Sequence, residues 1–350
     1  MERVNGLFIL DPAAFDVVYR PNAAAEIAER VNVLGPPQTR FTIEARSELL
    51  ADVDVIFGGW GMPKIDDAFL NRAPNLRAVF YGAGAINGWC TPAVWARGIC
   101  VTSANDANAI PVAEYTVATA IFSLKQGWQL SGCESKRLQG FRIRRDVPGN
   151  YKSTLGLVGM GTVARLIVDL IKPFGMRVVT HDPYLPADEA ARLGVANVPL
   201  DELFSQSDVV SLHAPDLPTT RGMIGSAQLS LMKPNATFIN TSRGRVVREG
   251  ELIDALTARP DLHAVLDVTE TEPLPATSRL CTLPNITLTP HLAGSQGREC
   301  QRMGDYMVEE LDRYLAGEPL KWQVRPDGLA HSVHALPTVT TATTPRLVRA

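Results

Sequence analysis

The sequence predicts an α/β protein of two domains, one of them built on a doubly wound parallel sheet. Three observations carry this expectation. The chain has 350 residues, which is long for one domain and comfortable for two. From Leu155 onward, short apolar runs alternate with helix-like stretches, the pattern of a parallel sheet with helical crossovers. And the apolar run Leu155-Gly-Leu-Val158 leads directly into Gly159-x-Gly161-x-x-Ala164, a strand-to-helix turn of small residues.

Before that turn, the runs Leu7–Leu10, Val53–Phe57, Leu76–Tyr81 and Ile99–Thr102 read as strands of a first, smaller α/β domain. Pro111 opens an apolar helical segment from Val112 to Leu130, with Glu114 near its positive end, long enough to connect two domains. Residues 131–152 are polar and basic, with Lys136, Arg137, Arg142, Arg144 and Arg145, and read as a solvated loop or as a segment beside an anionic substrate. Strands are then expected at 155–159, 177–181, 208–212, 236–240, 263–267 and 286–289, six in all, the number in a complete dinucleotide-binding domain. An amphipathic helix over about 298–316 returns the chain to the first domain. The expected division is therefore 1–110 plus 298–325 for one domain and 111–297 for the other, with 326–350, rich in Thr, Pro, Val and Ala without period, as a disordered tail.

The glycine triplet is shaped for a pyrophosphate. Gly159 permits the tight turn, Gly161 removes the Cβ that would strike the phosphates, Ala164 lets the helix pack on the strand, and the helix N-terminus offers free N–H groups to the anion. The strand Arg177–His181 ends at Asp182, twenty-one residues after Gly161, where such folds place the carboxylate that accepts from the ribose hydroxyls. An Asp at that point favours NAD(H) and repels the extra phosphate of NADP(H); its other reading is a cap on the turn before Pro183.

Composition excludes several classes. A net charge of −3 offers no electrostatic case for nucleic acid or a membrane surface. Five cysteines, at 90, 100, 133, 281 and 300, lack any Cys-x-x-Cys spacing and sit mostly in apolar stretches, so buried reduced thiols in a cytoplasmic protein are expected, with no metal. Leu7–Leu10 is too short for a signal-peptide apolar region, and no window approaches a membrane span. No long segment follows the last helix, so control by a further regulatory domain is not expected.

Three polar residues each follow the carboxyl end of an expected strand, where open α/β sheets bind ligands. Phe238-Ile-Asn240 runs into Thr241-Ser242-Arg243, Ala264–Asp267 into Val268-Thr-Glu-Thr-Glu272-Pro273, and Ile286–Thr289 into Pro290-His291. Arg243 can hold a carboxylate by its planar fork and polarise the neighbouring carbonyl. His291 can give a proton to the carbonyl oxygen or take one from the alcohol. Glu272 can hydrogen-bond the imidazole, fix its orientation and favour its acid form. Singly, each has a plainer reading as a surface Arg, a solvated Glu or a turn His; as a set on successive strand ends they point to redox chemistry on a 2-keto acid.

These residues resemble the D-isomer-specific 2-hydroxyacid dehydrogenase family over 1 to about 322. The matching stretches are Val112-Ala-Glu-Tyr115, Gly159-Met-Gly161, Asp182, His213-Ala-Pro215 with Thr220, Asn240-Thr-Ser-Arg243-Gly, Asp267-Val-Thr-Glu-Thr-Glu272-Pro and Pro290-His291. The resemblance implies a Rossmann domain inserted in a flavodoxin-like substrate domain, an NAD(H)-dependent hydride transfer to a small 2-keto acid such as glyoxylate or hydroxypyruvate, and a homodimer. It implies Arg243, Glu272 and His291 as the catalytic trio, with Glu272 rather than Glu270 because it lies five after Asp267 and directly before Pro. It further implies that the Thr162 and Val163 amides meet the pyrophosphate, that His213, Pro215, Thr220, Thr241, Ser242, Asp267 and Gly294 join Gly159, Gly161 and Asp182 around the cofactor, and that Gly82-Ala83-Gly84 binds the substrate carboxylate. That last loop has a second reading as a tight strand-to-helix turn.

Some residues depart from the family pattern. Ala85-Ile-Asn-Gly-Trp-Cys90 stands where a Val-Asp-Asn-Ile-like run is common, Trp60-Gly61 replaces commoner polar residues and either shapes the pocket or packs, and Ala293 stands where Gly is common. Two other functions fit the same fold: a nicotinamide-binding scaffold without meaningful catalysis, and a phosphite dehydrogenase, which shares the Arg, Glu and His. Formate dehydrogenase fits less well, since it places Gln where this chain has Glu272.

Overall fold

The computed structural model describes residues 3–20, 22–131 and 147–326. The basic stretch 136–145, Cys133 and the tail beyond Pro326 lie outside the described residues. The chain divides into two compact units, one of residues 1–108 with 295–350, the other of residues 109–294.

In the first unit, β1 (Asn5–Ile9), β2 (Asn32–Val33), β3 (Val55–Gly58), β4 (Ala78–Tyr81) and β5 (Cys100–Ser103) are joined by a terminal strand, Gln323–Val324. Their order is terminal strand, β5, β4, β3, β1, β2, parallel throughout except that the terminal strand runs antiparallel to β5. β3 and β4 are apolar along their length because both faces of a parallel sheet are covered. One face carries Ile56, Val79, Trp89 and Val94. The other carries Phe8, Phe57 and Phe80 and is covered by Met303, Met307 and Leu311 of the helix Glu299–Ala316. That helix ends at Gly317 in the left-handed conformation, a turn glycine adopts without strain. Glu310, fully buried on it, accepts from the amides of Lys321 and Trp322, which anchors the terminal strand.

The second unit holds β6 (Thr154–Val158), β7 (Arg177–His181), β8 (Ala196–Asn197), β9 (Val209–Leu212), β10 (Thr237–Asn240), β11 (His263–Leu266) and β12 (Ile286–Leu288). All pair parallel, in the order β12-β11-β10-β9-β6-β7-β8. The order reverses between β6 and β9, the switch point at which doubly wound sheets open a ligand crevice. The sheet has seven strands rather than the expected six; the extra one, β8, has only two residues and gives no alternating apolar signal.

Two local expectations are corrected. The connector helix spans Asn105–Ser123, so Pro111 lies in its interior instead of its first turn. Ser103 Oγ accepts from the Asn105 amide at its start. Beyond Pro111 its apolar side, Ala113, Val117 and Ala120, packs in the second core and outweighs the one hydrogen bond that proline removes. The chain then turns at Gln126, with φ +50°, before the short helix Gly127–Leu130. Among the cysteines, Cys90 and Cys300 are buried as expected, but Cys281 is exposed.

At the amino end of β11, His263 is only 3% exposed, its ring stacked on Trp128 and its Nε2 within 3.0 Å of Thr287 Oγ1. Burial pulls its pKa down from 6.5 to about 4, so the folded chain keeps it neutral while the unfolded chain binds a proton below about pH 6.5. The stability it contributes is therefore complete above pH 6.5 and is lost as pH falls toward 4, at roughly 1.4 kcal/mol per pH unit. Urea unfolding at pH 7 and pH 5 should show the wild type losing about 2 kcal/mol more than His263→Phe, which keeps a non-titrating ring on Trp128.

Candidate active site

The turn after β6 is built as the glycine spacing requires. Gly159 sits at φ +92°, and a Cβ there would lie 3.0 Å from the Ala214 amide nitrogen and 3.1 Å from the His213 carbonyl carbon. A Cβ on Gly161 would meet nothing within 4 Å, so that glycine leaves open space directly before the helix Thr162–Ile171. The first-turn amides of Val163 and Ala164 have no intrahelical acceptor. Asp182 closes the turn: its Oδ2 accepts from the Met160 amide at 2.7 Å and its Oδ1 from Tyr184 N at 2.8 Å. An open cradle, amides at a helix start and a carboxylate at the end of β7 together fit a dinucleotide.

Across the switch point, His213 follows β9. Its Nε2 lies 2.9 Å from Ser211 Oγ, and desolvation of its ring pushes its pKa down to about 3, so it is neutral at physiological pH. Pro215 and Thr220 belong to one self-closed loop, in which Thr220 Oγ1 donates to Pro215 O and accepts from the Leu217 amide.

After β10, buried Asn240 organises the next loop: its Oδ1 accepts from the amide and hydroxyl of Ser242, and its Nδ2 donates to Arg243 O. Gly244 then permits a close approach, since a Cβ there would fall 2.0 Å from the Thr269 carbonyl carbon. The loops after β10 and β11 are thus pressed together, placing Arg243 where Glu272 and Asp216 attract its charge. Desolvation lowers the Arg243 pKa from its ordinary value and the two carboxylates oppose this; a guanidinium stays protonated in either case.

The loops after β11 and β12 bring the other two residues together. His291 Nδ1 lies 2.8 Å from Glu272 Oε2, while Glu272 Oε1 accepts from the Thr269 amide. Glu270 takes no part in this contact; its amide donates to Glu249. A carboxylate can only accept, so His291 carries its proton on Nδ1 and leaves Nε2 for chemistry. Both side chains are substantially exposed, and an exposed ion pair contributes only about 0–1 kcal/mol to stability. The pair orients the imidazole; it does little to hold the fold together. His291 also stands at φ +53°, a left-handed conformation rare for a residue with a Cβ, and such residues cluster at functional sites.

What holds His291 there is Asp267, 2% exposed. Its carbonyl accepts from the His291 amide, its Oδ1 from Thr289 Oγ1 at 2.6 Å and Leu292 N at 2.8 Å, and its Oδ2 from Ala293 N at 2.9 Å. Sequence reasoning assigned Asp267 to the cofactor and had no signal for this second duty, because the partners lie twenty-two or more residues away. Thr241 is buried beside Thr116 of the connector helix, and Gly294 is the last residue of this unit.

In the first unit, the chain after β4 runs through Gly82, Ala83 and Gly84. A Cβ on Gly82 would fall 2.7 Å from Tyr19 Oη, whereas Gly84 has only Asn105 and Asn108 side-chain atoms at 3.7 Å. Ser103 Oγ donates to the carbonyls of Ala83 and Gly84. Trp60 is exposed rather than packed in the core. Among the described residues, no group of three or more His, Cys, Asp or Glu side chains could hold a metal ion, and no helix is long and apolar enough to cross a membrane.

With this geometry in hand, comparison with known proteins gives one answer. Residues 129–293 match the family model described as the NAD binding domain of D-isomer specific 2-hydroxyacid dehydrogenases. The (S)-sulfolactate dehydrogenase of Chromohalobacter salexigens is 37% identical over 255 residues, covering 72% of this chain and 82% of that protein. The D-3-phosphoglycerate dehydrogenase of Methanocaldococcus jannaschii is 33% identical over 292 residues, covering 80% of this chain, but the chain spans only 53% of that relative's length. Among solved structures, an NAD-complexed D-isomer specific 2-hydroxyacid dehydrogenase from Lactobacillus delbrueckii shares the fold with a TM-score of 0.74 at 20% identity, covering 92% of this chain and all of that one. The chain belongs to the D-isomer specific 2-hydroxyacid dehydrogenase family.

The two motif glycines should separate in their effects. Gly161→Ala enters open space, so its melting temperature should match wild type while NADH binding, measured by fluorescence titration, weakens about tenfold or more. Gly159→Ala meets backbone and a left-handed φ, and should lower both NADH affinity and melting temperature.

Proposed function

We propose that this protein is an NAD(H)-dependent oxidoreductase that interconverts small 2-keto acids, glyoxylate, hydroxypyruvate or related compounds, and the corresponding D-2-hydroxy acids. The observation that carries the reading is the 2.8 Å contact between His291 Nδ1 and Glu272 Oε2 beside the charge of Arg243, all on loops after the adjacent strands β10, β11 and β12.

Arg243 binds the substrate carboxylate through its fork and draws electron density from the carbonyl. In reduction, His291 Nε2 gives its proton to the carbonyl oxygen as that oxygen gains charge; in oxidation, the same nitrogen takes the proton from the hydroxyl. Glu272 accepts from Nδ1–H throughout, which holds the ring in its orientation. Bound nicotinamide supplies or receives the hydride. Asp182 supports preference for NAD(H), since its carboxylate repels a 2′-phosphate. The sulfolactate and phosphoglycerate relatives act on acids with a second anionic group, and the substrate panel should include such compounds.

His291→Ala should leave NADH affinity within about twofold and cut turnover on the best keto acid by a factor on the order of 10³ or more; near-wild-type rates would exclude it as the acid–base group. Arg243→Ala should raise KM and lower kcat together. Glyoxylate, hydroxypyruvate, pyruvate, larger keto acids and phosphite are to be assayed with the matching cofactor form. Negligible turnover of all of them despite tight NADH binding would support a scaffold instead, and turnover of phosphite alone would support phosphite oxidation. Asp182→Ser should narrow the gap between NADH and NADPH affinity by about tenfold.

A further inference from the structure

We propose that Tyr115 and Thr289 are positioning residues for the reaction: a directional chain of hydrogen bonds, Tyr115 to Thr289 to Asp267, sets the angle at which His291 presents its imidazole. The proposal rests on the acid–base reading of His291 given above.

The direction follows from proton counting. Asp267 can only accept, so the single hydroxyl proton of Thr289 is committed to Asp267 Oδ1 at 2.6 Å. The 3.1 Å contact between Tyr115 Oη and Thr289 Oγ1 must then be donated by the phenol. Burial raises the Tyr115 pKa from its ordinary value, with the Asp267 charge adding to it, so the phenol keeps the proton it donates.

The receiving end of this chain is the same carboxylate that takes the Leu292 and Ala293 amides, the two residues directly after His291. Those bonds, with His291 N to Asp267 O, keep His291 at φ +53° against its intrinsic preference. If Asp267 loses the Thr289 hydroxyl, its Oδ1 keeps the Leu292 amide alone, the carboxylate that both amides share is held less firmly, and the strained turn can relax. The imidazole then leaves the line that Glu272 holds. Thr116, next to Tyr115, lies 3.4 Å from Thr241 Oγ1 on the loop that carries Arg243, so one helix touches the roots of both functional loops.

The test compares Thr289→Val, Thr289→Ser and Tyr115→Phe by steady-state kinetics, NADH titration, melting temperature and NMR of ¹⁵N-labelled histidine, which reports the Nδ1–H bond of His291 to Glu272. Thr289→Val should lower kcat about tenfold or more while keto-acid KM and NADH affinity stay within about twofold and the melting temperature barely moves. Thr289→Ser, which keeps the hydroxyl, should restore most of kcat, and Tyr115→Phe should lower it about threefold. Wild-type kcat in Thr289→Val overturns the proposal. So does a parallel fall in kcat, NADH affinity and melting temperature that serine does not rescue, because that marks a purely structural role. Should Thr289→Val fail to fold, Tyr115→Phe decides, and wild-type kcat with an unchanged His291 spectrum overturns the brace. Should the wild type turn over no keto acid, the proposed function fails while the NMR comparison still decides the brace: an intact Nδ1–H signal in Thr289→Val overturns it, and loss of that signal supports it.

Discussion

Burying a carboxylate with too few donors is among the most unfavourable things a fold can do, and the arrangement around Asp267 turns that constraint to use. The side chain sits at the end of β11, in the interior of the sheet, and its need for donors is met by Thr289, Leu292 and Ala293. Meeting it obliges the segment after β12 to fold back over the end of β11. His291 lies inside that segment, so its place is dictated by a demand for hydrogen bonds that the imidazole itself does not share. Strands about 4.8 Å apart bring the Arg243 and Glu272 loops alongside by geometry alone.

Glycine supplies the complementary constraint. Where Asp267 pulls chain inward, Gly244 lets backbone pass backbone at a distance that no Cβ would tolerate, and Gly159 does so at a tighter distance than a Cβ ordinarily keeps, in a left-handed conformation. These two positions tie together the loops after β6 and β9, and those after β10 and β11. Side chains with charge then project from rigid roots, which is what transfer of a proton over hydrogen-bond distance demands.

Much of this was readable in the chain. The long apolar strands, the glycine turn and the polar residues at three strand ends announced themselves because each is local: a run, a spacing or a residue directly after a run. The choice of Glu272 over Glu270 needed the family resemblance, since spacing along a loop does not say which carboxylate turns inward. What escaped was short or non-local. β2, β8 and the terminal strand have two residues each and carry no periodic signal. The connector helix was started too late because proline reads as a beginning, whereas packing of Ala113 and Val117 sustains a helix through it. Tyr115 was seen only as part of a family stretch, because its partner is 174 residues away.

The return of the chain into its first unit bears on biosynthesis. Residues 1–108 lay down five strands, but the sixth strand and the helix bearing Met303, Met307 and Leu311 come only after residue 294. On the ribosome, the amino-terminal segment emerges first and stays incomplete, its apolar face around Phe8, Phe57 and Phe80 uncovered, while the whole nucleotide unit is translated and can fold. The order in which the two units begin synthesis and the order in which their cores are completed are therefore reversed in this molecule.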